Sequence, residues 1–174
     1  MNFGAPNVRI GFLPVAVESG SIHLTREEEV MSHKDAPDYA GKHGTGLKPN
    51  PVITGAIKKR GIGNEITCAQ AFQVVSELGL EPAVLGRDID LARIKLVKCQ
   101  LGLFGYGPQK SIVPAAEKVS DGLRDAIQSR LINGRLSCAD AWAIADRMKL
   151  KKMDVSSAAN AMHIQVKPCQ LGAF

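Results

Sequence analysis

Aromatic residues are scarce in this 174-residue chain, where Phe, Trp and Tyr together make up 5% of the residues. A core with so few rings must be filled by Leu, Ile, Val, Ala and Met, which suits small helical units better than a large β-sandwich. The chain also lacks an apolar run near the roughly 20 residues that a transmembrane helix needs, and its first residues lack the layout of a signal peptide. We therefore expect a cytoplasmic protein with no membrane partner.

The sequence also lacks the usual signs of catalysis. It has no Gly-x-Ser-x-Gly motif, no closely spaced pair of zinc ligands and no nucleophile beside a local base. The glycines of residues 41–48 do not match the spacing of a phosphate-binding loop. His23, His33 and His43 lie in a polar stretch, where solvated histidines are more common than metal ligands. We expect a protein that is not an enzyme and that binds no cofactor or metal.

Charge is present, but it is unevenly placed. The formal net charge is +5, and residues 123–174 carry eight Lys and Arg against four Asp and Glu. A concentration of positive charge permits nucleic-acid binding because phosphates are anionic. A solvated basic surface would have the same composition, so both interpretations stay open.

The chain contains an internal repeat. Residues 53–104 align with residues 123–174 without a gap, at 14 identities in 52 positions. Both copies end on Cys-Gln-Leu-Gly-x-Phe. A gapless duplication predicts one small module built twice. We therefore divide the chain into an N-terminal arm, partly extended, at 1–52, a first module at 53–113 and a second module at 114–174.

Each module has the pattern of three helices with short strands, so the predicted fold class is α+β and mainly helical. Thr67 and Ser137 precede the second helices and have Gln70 and Asp140 three positions on, as in a capping box. Pro82 fits the first position of a third helix. In the second module Asp154 is the candidate cap. After the last strand of the first module, a turn at 105–108 and the segment "KSIV" predict a β-hairpin.

This order resembles the winged-helix family, a helix-turn-helix variant with a β-hairpin wing. The resemblance lies in the turn between the second and third helices. Both copies have a small or aliphatic residue before the turn, a tight turn, and aliphatic residues after it. These positions are Val75, Leu78, Gly79, Leu80 and Leu85, and then Ala145, Met148, Lys149, Leu150, Val155 and Ala158. The resemblance implies two tandem winged-helix-like modules. The wing of the second is truncated at Phe174.

The resemblance also implies a DNA-reading surface on the third helix of the second module. Its outward positions carry lysines for phosphates and small polar side chains for base edges. The expected DNA contacts are Lys151, Lys152, Ser156, Ser157 and Asn160, supported by Arg87 and Arg93. In the first module Glu81 and Asp90 would repel phosphate. We therefore predict a DNA-binding transcriptional regulator, expected as a homodimer on double-stranded DNA. The alternative is a non-catalytic subunit of a multiprotein complex, whose modules and arm bind protein partners.

The four cysteines form two equivalent pairs, each separated by 31 residues. Metal ligation or redox sensing is the sharper hypothesis. Against it, free cysteine is a common buried residue, and structural zinc usually takes closely spaced pairs. We interpret the repeated motif as a folding signature. Its residues are Cys68, Cys99, Gln100 and Gly102 in the first copy and Cys138, Cys169, Gln170 and Gly172 in the second.

Overall fold

A computed structural model describes Met1, residues 39–109 and residues 111–174, and the unit Pro37–Phe174 is compact. Most of the predicted N-terminal arm, including His23 and His33, lies outside the described residues. A short 3-10 helix, Tyr39–His43, is the first described element.

The remaining elements repeat one order twice, helix, strand, helix, helix and strand, so the fold is α+β and mainly helical. The first copy consists of α1 (Pro51–Arg60), β1 (Glu65–Thr67), α2 (Cys68–Leu78), α3 (Pro82–Leu91) and β2 (Lys95–Val97). The second copy consists of α4 (Asp121–Gln128), β3 (Arg135–Leu136), α5 (Cys138–Met148), α6 (Lys152–Ala161) and β4 (Gln165–Val166). None of the described helices is long and apolar enough to cross a bilayer.

Local capping chemistry sets the helix starts. The Thr67 hydroxyl accepts a hydrogen bond from the Gln70 backbone N–H at 3.2 Å, and the Gln70 side chain accepts one from the Thr67 N–H at 3.0 Å. The Ser137 hydroxyl caps α5 by accepting from the Asp140 N–H at 2.9 Å, but here it also donates to the Asp140 carboxylate at 2.6 Å in place of the reciprocal backbone bond. Both predicted capping interactions are confirmed, because they satisfy backbone donors that have no partner inside the helix.

The third helix of the first copy begins where the sequence predicts, and that of the second copy begins before its predicted cap. Pro82 is the first residue of α3. Helix α6 begins at Lys152, so Asp154 is not its N-cap residue. The Asp154 carboxylate instead accepts a hydrogen bond from the Lys151 backbone N–H at 3.1 Å, from the first turn. A side chain inside the helix thus provides the hydrogen-bond acceptor for the backbone N–H of the residue before it.

The turn between the second and third helices has the same backbone form in both copies. Gly79 and Lys149 follow α2 and α5 with φ of +61° and +59°, in the left-handed region. This conformation ends a helix and lets the next one cross it closely. Leu85 and Val155, the aliphatic residues predicted to seat the third helices, have no exposed surface.

The strand pairing differs from that of a winged helix. β1 pairs with β2 in parallel, and β3 pairs with β4 in parallel. The residues described at 105–109 and 111–119 form no strand, so the predicted β-hairpin is absent there. Instead, the Ile112 N–H donates to the Gly102 carbonyl at 2.9 Å and folds the segment back over the motif. The winged-helix arrangement is therefore not confirmed.

The protein has two hydrophobic cores, and the motif at the end of each repeat contributes a leucine to the core of the other repeat. The first core is built on α1, α2 and α3, yet it contains Leu171 from the second copy. The second core is built on α4, α5 and α6 and contains Leu101 from the first copy. The rings of Phe72 and Trp142, at equivalent positions, join the two copies with their centroids 4.4 Å apart. Each copy thus completes the core of the other.

Candidate functional site

The face of α6 that was expected to read DNA is partly covered by the chain itself, with Ser156 buried and Asn160 exposed. Ser156 is 1% exposed, and its hydroxyl donates to the Leu101 carbonyl at 2.6 Å. The Ser157 hydroxyl donates to the Pro114 carbonyl at 2.8 Å, and the Asn160 amide donates to the Val113 carbonyl at 3.3 Å. These three side chains bind backbone carbonyls from the segment between the modules and from the repeated motif.

Helix α3 is covered in an equivalent way. Its Asp90 carboxylate binds Lys42 Nζ and His43 Nε2, each at 2.8 Å. The buried carboxylate of Asp88 accepts a hydrogen bond from the backbone N–H of Asn50. We name residues 39–50 the first strap and residues 111–120 the second strap. Each strap precedes the first helix of its module and crosses the third.

The straps explain the acidic residue on α3. Asp90 was expected to repel phosphate, and in the structure it forms ion pairs with the first strap. Asn160 stands at the position equivalent to Asp90, and it binds the second strap through a carbonyl instead of a charge. The same helix position therefore holds the preceding segment in both modules. From the sequence, Asp90 and Asn160 were expected to differ in their effect on DNA binding. In the structure, they also differ in the kind of bond by which each holds its strap.

Lys152 is engaged inside the protein. Its Nζ atom lies 3.4 Å from the centroid of the Trp142 ring and donates to Gln100 Oε1 at 2.9 Å. A cation over an indole face is attracted by the ring quadrupole. Lys152 thus links α6, α5 and the first copy of the repeated motif.

Lys151 belongs to a different surface. Arg147, Lys149 and Lys151 are exposed and fall on alternate residues at the turn between α5 and α6. We name these three side chains the basic turn. The equivalent residues of the first module are Glu77, Gly79 and Glu81, so the two turns have opposite charge. Residues 146–152 contain one acidic side chain, Asp146.

The two supporting arginines lie in the first module. Arg87 is 47% exposed in its side chain and lies 3.6 Å from the Asp88 carboxylate. Arg93 is exposed just after α3, with φ of +55°, and its carbonyl accepts a hydrogen bond from the Asn64 side chain at 2.6 Å.

The repeated motif forms the same closed loop in both copies. The Gly102 N–H donates to the Cys99 carbonyl at 2.9 Å, and the Cys99 N–H donates to the Phe104 carbonyl at 3.1 Å. The corresponding bonds join Gly172 to Cys169 and Cys169 to Phe174, both at 3.1 Å. Gly102 has a φ of +74°, and a Cβ atom there would meet Val113. The motif is a turn after a short strand, which explains why the strands end at Val97 and Val166.

The cysteines differ between the copies. Cys68, Cys99 and Cys138 are buried, as the structural interpretation predicts, and Cys169 is partly exposed. Burial raises the pKa of Cys68 to about 11 and also raises the pKa of Cys99. A hydrogen bond from the Cys138 thiol lowers the pKa of Cys169, and backbone N–H groups of Ala173, Leu171 and Gly172 lower it further. The described residues include no group of three or more His, Cys, Asp or Glu side chains placed to bind a metal ion.

Comparison of the chain with protein-family models, with curated proteins and with solved structures gave no match.

Two features of the site are not predicted by the sequence. The DNA-binding prediction includes Lys151 but omits the other two residues of the basic turn, Arg147 and Lys149. An alignment of the repeats could have found them, because they replace an acidic residue and a glycine of the first copy. The straps have no sequence signal of their own, since their contacts with the third helices join backbone groups or charges to residues 38 to 48 positions away.

Proposed function

We propose that the protein is a DNA-binding regulator of transcription that contacts double-stranded DNA through the basic turn of its second module. The supporting observation is the set of three exposed cations at 147, 149 and 151, with opposite charge at the equivalent turn. Lysine and arginine side chains that neutralise phosphates release condensed counterions, and this drives association.

The proposal assigns contacts to the DNA backbone. Ser156 is buried and bound to the Leu101 carbonyl, and Ser157 and Asn160 each donate one hydrogen bond to a carbonyl of the second strap, which orients their polar groups toward the chain itself. Phosphate contacts position a protein without reading sequence. We therefore expect strong salt dependence and a low preference among duplex sequences, unless the strap is displaced.

Fluorescence anisotropy of a labelled mixed-sequence duplex, measured over a range of salt concentrations, tests this. The variant Arg147→Ala, Lys149→Ala, Lys151→Ala is expected to bind about tenfold more weakly or worse at low salt. Its slope of log K against log salt should flatten by about 0.9 for each phosphate that is no longer neutralised. The matched control Lys48→Ala, Lys58→Ala, Lys59→Ala removes the same charge from exposed positions of the first strap and α1. Equally weakened binding in both variants, or no binding at low salt, contradicts the proposal.

The second candidate function is that of a non-catalytic subunit in a protein complex. It is favoured by Ile62 and Ile132, which hold equivalent positions at the turn before each strand and are 83% and 70% exposed. A partner protein that covered these side chains would remove apolar surface from water. An affinity-tagged chain carrying Ile62→Asp and Ile132→Asp should lose specific proteins that co-purify with the unchanged chain. Identical sets of co-purifying proteins would exclude a role for these isoleucines.

A further inference from the structure

Two of the four cysteines are in contact at the start of α5. Cys138 is the first residue of that helix, and its backbone N–H donates to the Pro168 carbonyl at 3.0 Å. Pro168 immediately precedes Cys169, so the backbones of the two cysteines run side by side. The Cys138 thiol is near enough to the Cys169 sulfur to lower its pKa. A disulfide requires this kind of backbone proximity.

The surroundings of Cys169 favour its thiolate. The backbone N–H groups of Ala173, Leu171 and Gly172 in the closed loop lower the pKa of its thiol. Stabilisation of negative charge in this way lowers the pKa of the thiol, and the thiolate is the form that attacks oxidants and disulfides. Cys169 is partly exposed, whereas Cys138 is 4% exposed. An oxidant can therefore reach Cys169 first, and Cys138 lies beneath it.

The Cys138 sulfur is also held in place. The Gln170 side-chain amide donates to Cys138 Sγ at 3.4 Å. Because Gln170 follows Cys169 in the chain, one short segment binds both sulfurs. This fixes their relative position without a metal or a second protein.

The first repeat provides an internal comparison. Cys68 and Cys99 occupy the equivalent positions, but they are 5% and 3% exposed. Burial raises the pKa of both thiols, so both are held as weak nucleophiles. The duplicated scaffold thus carries one cysteine pair with a partly exposed member, Cys169, and one pair in which both members are buried.

We propose that Cys138 and Cys169 are a redox-active pair that a hydroperoxide converts to a disulfide. The Cys169 thiolate attacks one peroxide oxygen, the O–O bond breaks, and the released alkoxide takes a proton from water to leave as an alcohol, or as water when the oxidant is hydrogen peroxide. Cys169 becomes a sulfenic acid. The Cys138 sulfur then attacks the Cys169 sulfur, the S–O bond breaks, and hydroxide leaves with the Cys138 thiol proton as water. The two sulfurs lose two electrons, and the peroxide gains them.

The test is peptide mapping of the full chain after treatment with hydrogen peroxide and alkylation of the remaining thiols. Cleavage after Lys and Arg places the cysteines in four different peptides, 61–87, 99–110, 136–147 and 153–174. We expect a linked peptide joining 136–147 to 153–174, with Cys68 and Cys99 recovered alkylated. A linkage that involves Cys68 or Cys99 in equal yield, or no linkage, would overturn the proposal.

Two variants separate the roles. In Cys138→Ser the reaction should stop at Cys169 sulfenic acid, which dimedone traps, while the matched control Cys68→Ser should form the Cys138–Cys169 disulfide as fast as the unchanged chain. The rate of Cys169 alkylation by iodoacetamide in the unchanged chain gives an independent measurement. Its midpoint in pH should fall below the value of about 8.5 for a free thiol. A midpoint at or above that value, with no dimedone adduct, would also overturn the proposal.

Discussion

Leu101 and Leu171 stand at equivalent positions of the two repeats, and each is buried in the core of the other repeat. Leu101 has no exposed surface and packs with α4, α5 and α6, whereas Leu171 is 2% exposed and packs with α1, α2 and α3. Because each core needs a side chain from the other copy, the two modules should unfold together. This exchange also accounts for the repeated Cys-Gln-Leu-Gly-x-Phe motif, whose closed loop presents the leucine.

Shortening either leucine should therefore destabilise the whole repeat pair. We expect Leu101→Ala and Leu171→Ala each to lower the free energy of unfolding by about 2–5 kcal/mol, the usual cost of a buried Leu-to-Ala cavity. Urea denaturation followed by far-UV circular dichroism and by the fluorescence of Trp142, the one tryptophan in the chain, should give coincident transitions. Val52→Ala, at a 69% exposed side chain, is the control and should change little. Two separate transitions would contradict the exchange.

A second prediction concerns Gly86, which lies against the exchanged motif. A Cβ atom at Gly86 would overlap the backbone of Leu171, most severely at its carbonyl oxygen. Gly86→Ala should therefore cost about 1–3 kcal/mol through overpacking. Gly55→Ala, in α1, meets nothing within 4 Å and should stabilise by about 0.5–1 kcal/mol, because alanine restricts the unfolded chain. Thermal unfolding of both variants measures the difference, and a neutral Gly86→Ala would show that α3 does not pack this closely.

The contact between Lys152 and Trp142 gives a third prediction. Lys152→Gln removes the cation that lies over the indole ring, and we expect stability to fall by about 0.5–2 kcal/mol. The Trp142 fluorescence spectrum should change with it, because a charge beside the ring has been removed. The neighbouring variant Lys151→Gln, at an exposed position, should leave both the stability and the spectrum nearly unchanged. Equal behaviour of the two variants would place Lys152 in solvent.

A fourth prediction concerns pH and the cap of α5. The Ser137 hydroxyl, and then the Arg130 guanidinium, lower the pKa of Asp140. A carboxylate with a lowered folded-state pKa stabilises the protein above its unfolded-state pKa of about 3.9, and this stabilisation is lost as the pH falls through the folded-state value. Asp140→Asn should therefore cost stability at pH 7, by about 1 kcal/mol or less because solvent screens the group, and cost less at acid pH.

Urea denaturation of the Asp140→Asn variant at a series of pH values from 7 downward checks this. Ser137→Ala removes the first cause of the shift, so in that background the pH dependence contributed by Asp140 should shrink. A stability difference between the unchanged chain and Asp140→Asn that is constant over the whole pH range would show that the carboxylate is not stabilised by folding.

Local structure followed from local chemistry. The capping residues Thr67 and Ser137, Pro82 at the start of α3 and the tight turn at Gly79 were all predicted, because each depends on side chains within four residues. The residues described at 105–109 and 111–119 do not form the predicted β-hairpin, since the choice between a hairpin and a parallel pair depends on what lies beside the strand. The start of α6 was missed by three residues, because a carboxylate near a helix start can accept either as the N-cap or, as Asp154 does, from the third helical position back to the N-cap N–H.

The candidate site was predicted only in part. Lys151 belongs to the exposed basic turn, but Lys152 is held by Trp142, and Ser156 is held by Leu101 from 55 positions away. A helical pattern shows which positions share a face, but it does not show what covers that face. The DNA-binding role of these residues stays a prediction, and the straps are the reason to expect phosphate contacts before base contacts.

The sequence by itself determined that one module is built twice, where three of the six described α-helices begin, and which residues can fill a core. These properties depend on short-range hydrogen bonding and on the spacing of apolar residues, both of which can be read along the chain. Only the tertiary structure decided that the leucines of the repeated motif change places, that the straps cover the third helices and that one cysteine pair is more open than its equivalent. Identical motifs can complete either core, so the choice depends on long-range packing, which no local pattern records.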